Sequence, residues 1–148
     1  MKPDLLQRIV TALETDATNY SIFLAAYDVM PERTEDPEDM IRRTCGEQAV
    51  VAGLESVGGA AVWAEIEEAL TYRGDPGSGA SAAVLEAGEF AALLEELKGE
   101  VGRMAGDAAK VMRFRLEEGH PAYPVFWDFA FLFQREHGGT ILIGASSD

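Results

Sequence analysis

The stretch Trp127-Asp128-Phe129-Ala130-Phe131-Leu132-Phe133-Gln134 decides how this chain folds. Trp127, Phe129, Phe131 and Phe133 alternate with Asp128, Ala130, Leu132 and Gln134, so a period of two puts four aromatic rings on one face. Alternation of this kind is the mark of a strand, and aromatic side chains suit its pleated, half-buried surface. Arg135-Glu136-His137-Gly138-Gly139 then reads as a turn, and Thr140–Ala145 as a returning strand. A C-terminal aromatic-rich antiparallel β-hairpin, packed on helices, is the expectation. A hairpin alone is marginal in water, so a third strand is sought among residues 20–28, 82–87 and 111–117. The alternative is a helix from Pro124 to His137, ended by Gly138.

Upstream of the hairpin the spacing is mainly helical. Asp4–Glu14 follows Pro3, which costs little at a helix start. Tyr20, Phe23, Leu24 and Tyr27 fall at i, i+3, i+4 and i+7, and Ala25 and Ala26 tip the reading toward helix over a buried strand. Asp36 is placed as the N-cap of a helix beginning at Pro37 and running, with a bend at Gly46, to about Ser56. Gly58-Gly59 break it, and a short helix follows with Trp63, Ile66 and Leu70 on one side and Glu65 and Glu68 pointing away. Gly74–Ser81 is the clearest loop and the one candidate hinge. Phe90 to Met104 keep helical register. Asp107 then caps a helix to Glu118, although Met112, Phe114 and Leu116 alternate as a strand would. The class expected is α+β: a mostly helical single domain, residues 1–148, carrying the C-terminal hairpin.

Composition bounds what the domain can meet. Acidic residues outnumber basic ones 26 to 12, for a formal charge of -14. Residues 1–74 hold fourteen acids and six bases and residues 75–148 twelve and six, so the excess is spread over the molecule. Such a surface repels phosphate backbones and anionic headgroups, which argues against nucleic-acid and membrane partners. No uncharged run exceeds the eleven residues of Ala17–Tyr27, short of the roughly 20 that span a bilayer. No apolar core follows a basic start, so an unprocessed, cytoplasmic chain is expected, and the single Cys45 excludes an internal disulfide framework.

Catalytic motifs are sparse. No Gly-Lys-Ser/Thr phosphate loop, Gly-x-Gly-x-x-Gly fingerprint or Gly-x-Ser-x-Gly elbow occurs, and no cofactor is implied. His120 and His137 are the two imidazoles, each beside a turn signal. Asp128, in the aromatic strand, is the carboxylate to watch: on a buried face it needs a donor such as Arg113 or Arg115, and on an open face it is an ordinary outward residue. Glu117-x-x-His120 has the spacing of a carboxylate-bridged metal helix but occurs once, so no metal is assigned. Lys110, Arg113 and Arg115, with Arg103, form the one basic stretch, expected to pair with the glutamate-rich helices.

Two functional classes follow. The first is a non-catalytic acidic protein-binding module, an inhibitor or immunity-type protein masking a basic partner through Glu32, Glu35, Asp36, Glu38, Asp39, Glu65 and Glu68. The second is a small enzyme built on His120, Asp128 or His137. The aromatic hairpin could in either case serve as a homodimer interface.

Overall fold

A computed structural model describes residues 1–31 and 36–148. Ten elements follow in chain order: helix α1 (Pro3–Glu14), strand β1 (Ser21–Val29), α2 (Pro37–Cys45), β2 (Val50–Ser56), α3 (Gly59–Leu70), α4 (Ala82–Glu86), α5 (Gly88–Asp107), β3 (Lys110–Glu118), β4 (Trp127–Gln134) and β5 (Gly139–Ser147). The five strands make one antiparallel sheet in the order β1-β5-β4-β3-β2. The class is α+β, but with 40% of the described residues in helix and 32% in strand the fold is not mostly helical.

The hairpin sits where the alternation puts it. Trp127 pairs with Ser146 at one end and Gln134 with Gly139 at the other. The turn closes with Arg135 N–H donating to Gly138 O at 3.0 Å. Gly138 adopts φ +73°, and a Cβ there would strike the carbonyl oxygen of Val29. That position therefore requires glycine.

Three segments expected as helix are strands. Residues 21–29 pair with β5 over nine consecutive positions, from Ser21↔Ser147 to Val29↔Gly139. The helical spacing of Tyr20, Phe23, Leu24 and Tyr27 is real, but the nine-residue ladder outweighs the few tenths of a kcal/mol that alanines lend a helix. Residues 50–56 leave the helix because Gly46, at φ +121°, ends α2 and the chain turns back. Residues 110–118 are a strand because Asp107 ends α5 rather than capping a new helix. Of the three segments considered for a third strand, 82–87 is instead mostly α4.

Two cores lie on opposite faces of the sheet. On one, Leu5, Ile9 and Leu13 of α1, Ile66 and Leu70 of α3, and Leu97 and Val101 of α5 pack against Phe129, Phe131 and Phe133. On the other, Met40 and Ile41 of α2 cover Met112, Phe114, Leu132, Ile141 and Ile143. The middle of β4 is thus buried on both sides, and its aromatic face is 3% exposed or less at Phe129, Phe131 and Phe133. The aromatic face of the hairpin is thus covered by α1, α3 and α5 of the same chain.

Gly74–Ser81 is fastened to the segment before β1. Thr18 and Gly79 exchange backbone hydrogen bonds of 3.0 and 2.8 Å, and Asn19 Nδ2 donates to Gly77 O at 3.2 Å.

Candidate groove between the third and fourth strands

The sheet opens where β3 and β4 part. Their ladder runs from Lys110↔Gln134 to Arg113↔Phe131 and stops, while β3 continues with β2 as far as Val50↔Glu118. The first half of β4 therefore has β5 on one side and a recess on the other. A cavity of about 450 Å³ fills the recess, lined by Leu54, Glu55, Glu65, Arg113, Arg115, Asp128 and Phe129 among others. A second cavity of about 310 Å³ continues it, lined by Glu65, Glu68, Ala69, Tyr72, Phe126, Trp127 and Asp128. Glu65 and Asp128 border both, so the two form one groove.

Each wall has a local origin. Glu65 and Glu68, at i and i+3, share one face of α3, and Tyr72 follows just past the end of that helix, where its N–H donates to Ala69 O at 3.2 Å. Phe126 packs near Tyr20 and Tyr72, with ring centroids 5.8 and 6.1 Å away. Trp127 stacks on Phe129 at 5.8 Å with planes 2° apart, and its Nε1–H donates to Tyr20 Oη at 2.6 Å. Burial pushes the Tyr20 phenol above its ordinary ionisation range.

On the basic side of the groove, Arg113 is internally neutralised. Arg113 Nε donates to Glu65 Oε2 at 2.7 Å and Nη1 to Glu55 Oε1 at 2.7 Å. The hydrogen bond to Glu55, then that to Glu65, holds the guanidinium above its usual pKa despite desolvation. Pairing of Arg113 and Arg103 with helical glutamates, expected from the sequence, is present: Arg103 reaches Glu100 at 3.0 Å.

The residues singled out in the sequence fall in different places. Asp128 is exposed, at the groove, beside Glu65 and Glu68. Asp36 caps α2 by accepting from Asp39 N–H at 3.3 Å, and Glu38 pairs with Arg42 at 2.8 Å. These acids belong to the helix on the other side of the sheet, so they form no single surface with Glu65 and Glu68. Glu32 and Glu35 lie outside the described residues. His137 is exposed in the hairpin turn, at the end of β4 remote from Asp128. His120 is half-buried in the loop after β3, its Nδ1 accepting from Ala122 N–H at 2.9 Å, and its buried Nε2 has no hydrogen-bond partner among the described residues. Of the three enzyme candidates, Asp128 lines the groove, and neither of its recesses has His120 or His137 in its walls. Cys45 packs against the α2 core, and burial pushes its thiol up to about 11. No group of three or more potential metal ligands occurs among the described residues.

Tyr72, Phe126 and Trp127 are the groove residues the sequence reading missed. The signal was the Glu65, Glu68 face of α3 with Tyr72 just after it; what it lacked was any hint that Phe126-Trp127-Asp128 would lie against it. No helix among the described residues is long and apolar enough to cross a membrane. Compared with known proteins, the chain matches no family model, no curated protein and no solved structure.

Proposed function

We propose that this protein is a non-catalytic, acidic protein-binding module whose groove receives a basic side chain of a partner protein, in the manner of an inhibitor or immunity-type protein masking a basic partner. One observation carries the reading. The recess of about 310 Å³ is lined by three aromatic rings, Tyr72, Phe126 and Trp127, and by the carboxylates of Glu68 and Asp128, with Glu65 held by Arg113 at its border and no cationic side chain among the described residues of its walls. Aromatic faces attract cations, and carboxylates supply charge-assisted hydrogen bonds to an ammonium or guanidinium group. A net charge of -14 speeds encounter with a basic partner.

The experiment is capture of partners by the tagged protein from host lysate across a salt series, repeated with Glu68→Lys and Asp128→Lys. Glu47→Lys, an exposed reversal away from the recess, makes the same change in net charge. The expected result is one stoichiometric basic protein, released as salt rises and lost with the two groove variants but kept by the control. A partner retained equally by all three variants would remove the groove from the binding surface.

A further inference from the structure

The outer edge of β1 carries a hydrogen-bonding pattern that is its own complement. β1 is the end strand of the sheet, with β5 on one side. Ser146 O accepts from Val125 N–H at 2.8 Å on the β4 side, so the even-numbered residues of β5 direct their backbone groups to β4 and the odd ones to β1. The register pairs odd with odd, as in Phe23↔Ala145 and Ala25↔Ile143. The even residues of β1 therefore present N–H and C=O outward. Two side-chain contacts agree: Ile22 N–H donates to Glu14 Oε1 at 3.2 Å, and Arg43 Nη2 donates to Met30 O at 3.3 Å. Between these caps, the outward backbone groups of Leu24, Ala26 and Asp28 have no hydrogen-bond partner among the described residues.

That window is centred on Ala26. We propose that β1 pairs antiparallel with β1 of a second copy about a two-fold axis through Ala26, joining two five-stranded sheets into one of ten strands. Ala26 then faces Ala26 and Leu24 faces Asp28, so every outward donor of the open window meets an acceptor, while Ile22 N–H and Met30 O at its ends keep their caps. The caps complete the match. Glu14, at Ile22 of one copy, comes beside Arg43, at Met30 of the other, and the axis makes this pair twice. A foreign strand has no built-in reason to carry that order of charges, whereas a second copy must.

The edge is also open to receive a strand. A cavity of about 240 Å³ beside Leu24, Ala26 and Leu6, and another of about 550 Å³ beside Ala26, Tyr27 and Thr44, leave room next to the same segment. Proteins usually protect such edges with proline, lysine or a bulge. Ser21–Val29 contains neither residue, and its ladder with β5 is unbroken.

This inference does not rest on the groove, which lies between β3 and β4. The two readings also respond oppositely to salt. Copies each carrying -14 repel, so the dimer tightens as salt screens them, while capture of a basic partner weakens.

The test is sedimentation equilibrium of the full chain over a concentration series at moderate and high salt. The expected species has twice the 16.0 kDa of one chain. Glu14→Arg and Arg43→Glu should each weaken it roughly tenfold, because the axis applies each reversal twice, and the double variant should restore it. Ala26→Cys in a Cys45→Ala background should give a disulfide-linked dimer under mild oxidation, since facing Cα atoms of a hydrogen-bonded pair stand about 5.5 Å apart. Thermal unfolding of each variant checks that it still folds. A monomer at every concentration and salt, a double variant that fails to restore the dimer, or no cross-link at residue 26 would each overturn the arrangement.

Discussion

Arg113 and Glu65 join strand β3 to helix α3 through two contacts of 2.7 Å on one carboxylate oxygen, and this pair forms the border between the two halves of the groove. It spends the charge of Arg113 inside the protein while leaving Glu68 and Asp128 to face the recess. Arg113→Met should lower stability by about 1 to 2 kcal/mol, the scale of losing charged hydrogen bonds at a half-exposed site. Urea denaturation measures that cost. The same variant should bind a basic partner more tightly, because Glu55 and Glu65 are then unneutralised. Weaker partner binding with an unaltered fold would show that Arg113 itself touches the partner.

Gly144 of β5 is the tightest point between the sheet and its aromatic face. A Cβ there would overlap the ring of Phe129 and come within 2.9 Å of Leu24 Cδ2. Gly144→Ala is therefore expected to destabilise the domain by about 1 to 3 kcal/mol. Adding Phe129→Leu should recover part of the loss if the ring is the obstacle. Thermal melts of the single and double variants decide it.

Tyr20 and Tyr27 should ionise late in an alkaline titration followed by phenolate absorbance. Burial raises both, and for Tyr20 it outweighs the opposing hydrogen bond from Trp127. The folded-state pKa lies above the unfolded one, so this stability is fully present below the ordinary phenol value. It is lost as pH climbs through the folded value. Tyr20→Phe should leave the Trp127 indole N–H without its acceptor, at a cost of about 1 kcal/mol. It should also remove one late-titrating phenol.

Cys45 should resist thiol reagents in the native state. A thiol pushed up to about 11 by burial holds very little thiolate at neutral pH. Labelling should run about a hundredfold slower than for a free cysteine, and unfolding in urea should abolish the difference. Rapid native labelling would mean that α2 opens readily from the sheet.

Much of the architecture was legible one segment at a time. Pro3, the Asp36-Pro37 cap and the Phe90-to-Met104 register each marked a helix that is there, and the Trp127–Gln134 alternation marked β4. The groove was legible only in pieces. Asp128 was noticed for its place in an aromatic strand and Glu65 and Glu68 for facing away from a helix core, but nothing in their spacing says that they border one recess.

The amino-acid order by itself determined the local periods: three-to-four-residue spacing for α1, α3 and α5, and two for the hairpin. It also determined the acidic surface, because charge is a property of composition. Tertiary structure alone decided the identity of residues 21–29, 50–56 and 110–118, whose side chains satisfy either period weakly. Such segments become strands only when a neighbour supplies backbone partners, as β5 does for β1 and β3 does for β2. The same long-range pairing, by stopping at Arg113↔Phe131, opened the groove. A ladder's end depends on where the partner strand is carried by the rest of the fold, and no window of sequence contains that information.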